Sequence, residues 1–404
     1  VTQPHPVQHC PSATELDDLE LLVSGAYAPL TRFNAPDSPV TIDLPAGEDI
    51  VELVDPEGLP LARVTAATGE VEALTHAQYG PFRRLHLTPA QVREQHAGAT
   101  FVPVTDALSD AELDELRGLG RVVLVALNGT GTADLSPVAL VRATLAAAEL
   151  LDDAAVVAVP LPSHGDADAD HALGVRVLEN YAAGDPVHAL AAPGLVTGLR
   201  PSSTNEAIAA IVEEDRPAPD EVGLVLFFTG LSGSGKSTLA RALMDRLLEQ
   251  GGRTVTSLDG DVVRRHLSAG LTFSKADRET NIRRIGWVAA EIARHRGVAV
   301  CSPIAPFDET RQQVRAMVEA AGGAFFLVHV ATPLEECERR DRKGLYAKAR
   351  AGQIPEFTGI SSPYEEPDDA AVRVDTTGRT IEDALDDVIE ALHEAGFLDL
   401  KKDS

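Results

Sequence analysis

The 404-residue chain is 44% apolar and 24% charged, a globular composition too long for one ordinary core, so two or three domains are expected. No apolar run approaches the roughly 18 residues of a membrane span, no secretion-type basic and apolar leader opens the sequence, and Cys10, Cys301 and Cys337 lack CxxC spacing and cannot build a disulfide framework, so a cytoplasmic protein is expected. The net charge of −27 is uneven: residues 1–219 carry 11 Arg, no Lys and 32 acids, whereas residues 220–404 carry 24 bases and 30 acids, which argues against nucleic-acid binding and places any polyanionic ligand in the second half.

His5, His9 and Cys10 stand among prolines without four-ligand spacing, and the first 14 residues read as a frayed terminus rather than a metal site. Asp17–Gly25 reads as a short helix. Val40–Leu44, Ile50–Val54 and Ala62–Ala67 alternate with Pro/Gly/Asp turns as strands of a β-rich module. Thr88-Pro89 is an N-cap with proline at the first helical position, predicting a helix over Ala90–His96.

Strand and helix then alternate through Thr100–Val104, Asp110–Leu116, Arg121–Leu127, Pro137–Leu151, Ala155–Val159 and Ala169–Tyr181, the pattern of a parallel α/β sheet. In SHGDADADH, His164, Asp166, Asp168, Asp170 and His171 are spaced more like a solvated loop and helix start than a metal site. A helix and the Pro/Asp-rich RPAPDE close this region as a linker. The expected domains are residues 1–98, 99–219 and 220–404.

In LVLFFTGLSGSGKSTL (Leu224–Leu239) an apolar strand breaks into a Gly/Ser loop and resumes as a helix predicted over Thr238–Leu248. Gly230, Gly235, Lys236 and Ser237 satisfy the P-loop spacing. Such a loop converges backbone N–H groups on phosphate oxygens, adds the positive end of a helix, brings Lys236 to the β/γ-phosphates and offers the Ser237 hydroxyl to Mg²⁺. A nucleoside triphosphate with Mg²⁺ is therefore the expected ligand.

Further strands are expected at Thr254–Leu258, Val298–Cys301 and Ala324–Val330. The first ends in Asp259-Gly260-Asp261, at the sheet edge where open α/β folds bind ligands. Either aspartate suits an acceptor hydroxyl or Mg²⁺. Arg264, Arg265, Arg278, Arg283 and Arg284 with Phe273 predict a second, anionic, nucleotide-like substrate, some of these arginines merely decorating helix Asn281–Arg296, on which Trp287 reads as core. The basic run Arg339–Gly352 suits a mobile lid.

FTGLSGSGKSTLA, SLDGDVVRRHLSAGLTFSKADRETNIRRIGWVA, SPIAPFDETR and DRKGLYAKARAGQIPEFTGI together resemble adenylyl-sulfate kinase across residues 221–400. The resemblance implies a P-loop NTPase-type parallel-sheet kinase domain, MgATP-dependent phosphorylation of the 3′-hydroxyl of adenosine 5′-phosphosulfate, and a homodimer. It implies that Asp261 activates the hydroxyl, with Lys236 and Asp259 assisting. Gly230, Gly233, Ser234, Gly235, Lys236, Ser237 and Thr238 would cradle ATP, with Arg340 covering its adenine. Asp261, Arg264, Phe273, Arg278, Asn281, Ile304, Lys343 and Phe357 would hold the adenylyl sulfate, Phe273 and Phe357 sandwiching its adenine. Val262 departs from the family's Asn, and Ala305 replaces a serine that is phosphorylated in some members, so transfer is expected to be direct.

The first half resembles ATP sulfurylase at SGAYAPLTRF, FRRLHLTPAQVREQHAGATFVPV, LDDAAVVAVPLP and ALGVRVLENY, implying a PUA-like module and a shortened nucleotidyltransferase-like α/β domain. The place of that family's Gln-x-Arg-Asn-Pro-x-His-x-x-His-like segment reads Val104–Leu113, without histidine or arginine, and the stretch from about Asp185 to Ser203 is short. This half is therefore expected to be inactive as a sulfurylase. The alternatives are a bifunctional sulfurylase/kinase or a P-loop kinase for another nucleotide-like acceptor.

Overall fold

The computed structural model describes residues 6–76, 80–131, 135–190, 205–272 and 274–398; Phe273 lies outside the described residues, and of Asp261 only the backbone is described. The chain divides into two units, one ending at Arg216 and one beginning at Pro217.

The first unit opens with β1 (Val7–His9), α1 (Ala13–Ser24), β2 (Ile50–Val54), β3 (Pro60–Thr65) and β4 (Val71–Ala73), whose strands form one sheet in that order. β1 pairs in parallel with β2, so His9 sits opposite Leu53 instead of on the frayed end the sequence suggests. The expected strand Val40–Leu44 does not form. The Asn34 side chain accepts from Ile42 N–H at 3.0 Å and donates to Ile42 O at 3.1 Å, and Asn34 N–H takes the Val40 carbonyl, so the polar groups a ladder needs are already used.

Next come α2 (Pro89–His96), β5 (Thr100–Val104), α3 (Asp110–Arg117), β6 (Val122–Leu127), α4 (Pro137–Ala148), β7 (Ala154–Val159), α5 (Ala167–Ala182) and α6 (Glu206–Asp215). Thr88 caps α2 as its sequence predicts, with Gln91 completing a capping box. Strands β5, β6 and β7 pair in parallel in sequence order, and all six residues of β6 are buried, the run of apolar side chains that a sheet covered on both faces requires.

The second unit contains β8 (Leu224–Thr229), α7 (Lys236–Gln250), β9 (Val255–Leu258), α8 (Gly260–His266), α9 (Lys275–Arg294), β10 (Val298–Cys301), α10 (Asp308–Ala320), β11 (Ala324–Val330), α11 (Leu334–Arg340), α12 (Leu345–Arg350), β12 (Val372–Val374) and α13 (Ile381–Glu394). Its sheet is wholly parallel with the order β12-β11-β8-β10-β9. β8 is central and alternates between two cores: Leu224, Leu226 and Phe228 pack with residues of α7 and α13, while Val225 and Phe227 pack with residues of α9 and α10. From β8 the chain runs to edge strand β9, returns to β10 beside β8, and then crosses to β11 on the other side of β8, so the carboxyl end of β8 is a topological switch point with a crevice beyond it.

Trp287 is not core: α9 buries Ile282, Ile285, Gly286, Ala289, Ala290 and Ala293, and Trp287 projects from the other face, 62% exposed. The basic run 339–352 is not one excursion but the end of α11, a turn at Gly344 (φ 64) and α12.

Candidate active site

The P-loop fills the turn from β8 to α7. Gly230, Gly233 and Gly235 have φ of 143, 78 and 104, a region that L side chains rarely adopt, and a Cβ on Gly230 would stand 2.4 Å from Val330 O. This explains two of the motif's glycines by backbone shape and close approach. The loop borders a cavity of about 1860 Å³ at the switch point. Of the residues expected to handle ligand, Gly233, Gly235, Lys236, Ser237, Thr238, Asp259, Arg264, Arg278, Asn281, Ile304, Arg340, Lys343 and Phe357 line that one cavity, although they come from well-separated stretches of chain. Gly230 and the fully buried Ser234 lie behind the lining.

Lys236 is buried, and its Nζ donates to the Leu231 carbonyl at 2.6 Å. Burial pulls its ammonium down to about 8, with Lys343 acting in the same direction and Cys337 and Asp259 opposing. A polyphosphate entering the cavity supplies the missing negative charge and restores the charged form. Two results follow. Triphosphate binding near pH 8 should be accompanied by proton uptake, and affinity should fall as pH rises through about 8, where the free protein's lysine is neutralised. Calorimetry in buffers of different ionisation enthalpy measures both; binding independent of pH from 7 to 9.5 would contradict them.

Asp259 leaves the end of β9 and accepts from Ser302 Oγ at 3.1 Å, which ties the aspartate turn to the loop after β10. Asp261 is the second residue of α8, on the same turn. That loop, 302–306, is itself fixed from behind. Thr229 Oγ1 donates to Ile304 O at 2.6 Å, the Arg311 guanidinium donates to Ala305 O at 2.9 Å with its side chain fully buried, and Tyr364 Oη lies 3.1 Å from Thr229 Oγ1. Ala305 adopts φ 43 there.

The opposite wall comes from α9 and the segment after α12. Arg278 donates to Thr358 Oγ1 at 2.9 Å and Ser362 Oγ at 3.3 Å, and its guanidinium lies 5.8 Å from the Phe307 ring centre. Asn281 is buried, and its Oδ1 has no hydrogen-bond partner among the described residues. A buried amide oxygen left unpaired at a cavity wall is a place for a ligand donor. Phe357 meets Tyr346 edge to face at 5.1 Å between ring centres. Arg340 stands on the rim, its fork taken by Glu336 at 2.8 Å and by the hydroxyl and carbonyl of Thr376 at 2.8 and 3.0 Å. Arg284 bonds Leu267 O and Arg283 bonds Thr280 Oγ1, the structural service expected of part of the arginine set.

Ser302, Thr332, Tyr346 and Thr376 were not singled out by the sequence, because isolated hydroxyls carry no spacing signal. Magnesium takes oxygen ligands, and the Ser237 hydroxyl and Asp259 carboxylate both line the cavity, so the donor chemistry fits. Among the described residues no group of three or more His, Cys, Asp or Glu could hold a metal ion.

In the first unit, the loops at the carboxyl ends of β6 and β7 are held by the chain's own carboxylates. Asp17 accepts from Thr130 N–H at 2.8 Å and Thr130 Oγ1 at 2.6 Å; burial lifts its carboxyl to about 6. His164 lies between Asp170 at 2.9 Å and the buried Asp18 at 3.1 Å, and these carboxylates raise its pKa. So His164 and Asp170 are not a solvated loop: the charged His164 is favoured by partners that sequence spacing does not reveal. Val104–Leu113 ends β5 and starts α3, its polar residues forming a capping box of Ser109 and Glu112.

Residues 222–375 match the family model for adenylylsulphate kinase. A curated sulfate adenylyltransferase of Neosartorya fischeri is 47% identical over 192 residues, 48% of this chain and 33% of that protein, so the chain spans about a third of the length of such relatives. The solved hexameric APS kinase from Thiobacillus denitrificans matches 98% of this chain and 94% of its own at 28% identity and TM-score 0.71. The Mycobacterium tuberculosis APS kinase in complex with AMPPNP and APS is 45% identical, over 43% of this chain and 98% of that one, with TM-score 0.41. Among the described residues no helix is long and apolar enough to cross a membrane.

Proposed function

We propose, from the premise that residues 222–375 belong to the adenylylsulphate kinase family of phosphotransferases, that this chain transfers the γ-phosphoryl group of ATP to the 3′-hydroxyl of adenosine 5′-phosphosulfate. The observation that carries the reading is the convergence in one cavity of a phosphate-binding loop, the Asp259-Gly260 turn and a wall holding Arg278, the unpaired Asn281 oxygen and Phe357. The P-loop end suits a triphosphate, and the wall suits a second nucleotide with an anionic tail.

In this reading Gly233, Gly235, Ser237 and Thr238 hold the donor phosphates, and Lys236 leaves the Leu231 carbonyl to follow the charge that builds on the transferred group. Arg340 offers the flat face of its guanidinium to the donor adenine. Ser237 and Asp259 are the residues that would hold Mg²⁺ or its waters, and Mg²⁺ when bound neutralises phosphate charge. Asp261 takes the proton of the acceptor hydroxyl, while Arg264, Arg278 and Lys343 pair with the phosphosulfate and Asn281, Ile304, Phe273 and Phe357 seat the adenosine. Phosphorus-31 NMR of the products tests this. ADP and a new 3′-phosphomonoester are expected, and a phosphoryl group on any other atom would contradict it.

The first unit is proposed to lack adenylyltransferase activity. Supporting this, loop donors beyond β6 and β7 are already taken by Asp17 and Asp170, and carboxylates there repel a triphosphate. Pyrophosphate-dependent ATP formation from adenylyl sulfate should not exceed background; a robust signal would favour the bifunctional reading. The whole-chain likeness to a hexameric enzyme supports a homo-oligomer larger than a dimer, which light scattering would report.

A further inference from the structure

A phosphate-binding loop works only if its N–H groups face the ligand, and each N–H is fixed by the carbonyl on the other side of the same peptide. In a planar trans peptide the two point in opposite directions. The peptides of the P-loop are trans. What holds their carbonyls therefore decides where their N–H groups point.

The carbonyls are held from outside the loop by three hydroxyl side chains. Tyr346 of α12, itself buried, donates its phenol to Ser232 O at 2.8 Å. Thr332, just beyond β11, and Thr376, just beyond β12, both reach Ser234 O at 2.9 Å, with their hydroxyl oxygens 2.8 Å apart. Arg340 donates to the Thr376 hydroxyl at 2.8 Å and Thr376 N–H to the Thr332 hydroxyl at 3.3 Å, which leaves the hydroxyl protons for the Ser234 carbonyl. With Ser232 O and Ser234 O committed to these hydroxyls, the N–H groups of Gly233 and Gly235, on the other side of the same two peptides, are turned away from the hydroxyls, and both glycines line the cavity.

We propose that Tyr346, Thr332 and Thr376 are positioning residues that orient the P-loop N–H groups toward the donor phosphates before ATP arrives. The proposal rests on the reading of this cavity as a triphosphate site. It adds a consequence for coupling: the Tyr346 ring packs against Phe357 while its hydroxyl holds the P-loop, so one side chain touches both walls of the cavity. Glycine alone does not set the loop's orientation, because a glycine-rich turn can present either face of a peptide.

The test is equilibrium binding of inorganic tripolyphosphate, which has no adenine for Arg340 to contact, to the full chain. The Thr332→Val/Thr376→Val double variant keeps shape and removes both hydroxyls; Thr332→Ser/Thr376→Ser keeps them. The Val pair and Tyr346→Phe should each bind tripolyphosphate about tenfold more weakly, from the loss of hydrogen bonds to a buried carbonyl. The Ser pair should bind within about twofold of wild type on the same grounds, and adenylyl sulfate affinity of the Val pair should be unchanged. Wild-type affinity in both the Val pair and Tyr346→Phe would overturn the proposal, as would an equal loss of tripolyphosphate and adenylyl sulfate in the Val pair. If the wild-type chain itself binds neither ATP nor tripolyphosphate, the triphosphate site is wrong and the brace falls with it. That outcome is distinct from one in which only the variants behave unexpectedly.

Discussion

Replacing Lys236 by alanine is expected to abolish measurable ATP binding and to lower turnover by roughly 10³-fold, the scale on which a preorganised charge at a transferring phosphoryl group acts. The fold buries Lys236 before any anion is present, with its ammonium on the Leu231 carbonyl and pulled down to about 8 by burial. A cation kept under such conditions lowers stability, and on the proposed reading a bound triphosphate supplies its counter-charge. The variant should therefore fold at least as well as wild type. Thermal unfolding with and without ATP separates the effects: the apo midpoint of Lys236→Ala should be unchanged or higher, and ATP should no longer raise it. A variant that still gained stability from ATP to the wild-type extent would contradict the role.

The second large effect is expected at the aspartate turn. Asp261→Asn should leave ATP affinity within about twofold of wild type while turnover falls roughly 10²–10⁴-fold, the range for loss of a positioned base. The two aspartates should separate in kind. Asp259, whose carboxylate is tied to Ser302 at 3.1 Å and whose charge acts on Lys236, is assigned to the donor side in the proposed reading. Asp259→Asn should therefore raise the Mg²⁺ and ATP requirement as well as slow turnover. Steady-state kinetics at varied Mg²⁺ distinguish the pair, and identical profiles for both variants would contradict separate roles.

How legible this was in the sequence depends on the kind of signal. The P-loop was legible because its chemistry and its backbone shape demand residues at fixed spacing: φ values of 143, 78 and 104 fall on the three glycines. Strands β8, β10 and β11 lie on their expected residues, since a sheet buried on both faces needs near-continuous apolar runs. Edge strand β12 was missed. It is three residues long, with exposed Arg373 between half-buried Val372 and buried Val374, too short to carry a pattern. Val40–Leu44 has strand-like composition, but a single Asn34 side chain outcompetes the ladder for Ile42.

The site divides in the same way. Residues whose chemistry is local to a motif, such as Lys236, Ser237 and Asp259, could be named from spacing. Those whose role is created by long-range contact could not: Thr332 and Thr376 lie 98 and 142 positions from the Ser234 carbonyl they hold. The same holds for His164, whose partner Asp18 is 146 residues away. Nor does anything local mark Arg311, which the fold buries completely to hold the Ala305 carbonyl. Trp287 shows the converse, an aromatic residue at helical spacing that the packing of small residues on α9 leaves outside.

Coupled ADP release by the full chain with Mg²⁺ reports directly whether the second unit moves a phosphoryl group from ATP to adenylyl sulfate. Rapid ADP formation that requires adenylyl sulfate and is not supported by cytidylyl acceptors is expected. Absence of ADP with adenylyl sulfate present, or equal ADP release without any acceptor, would contradict it.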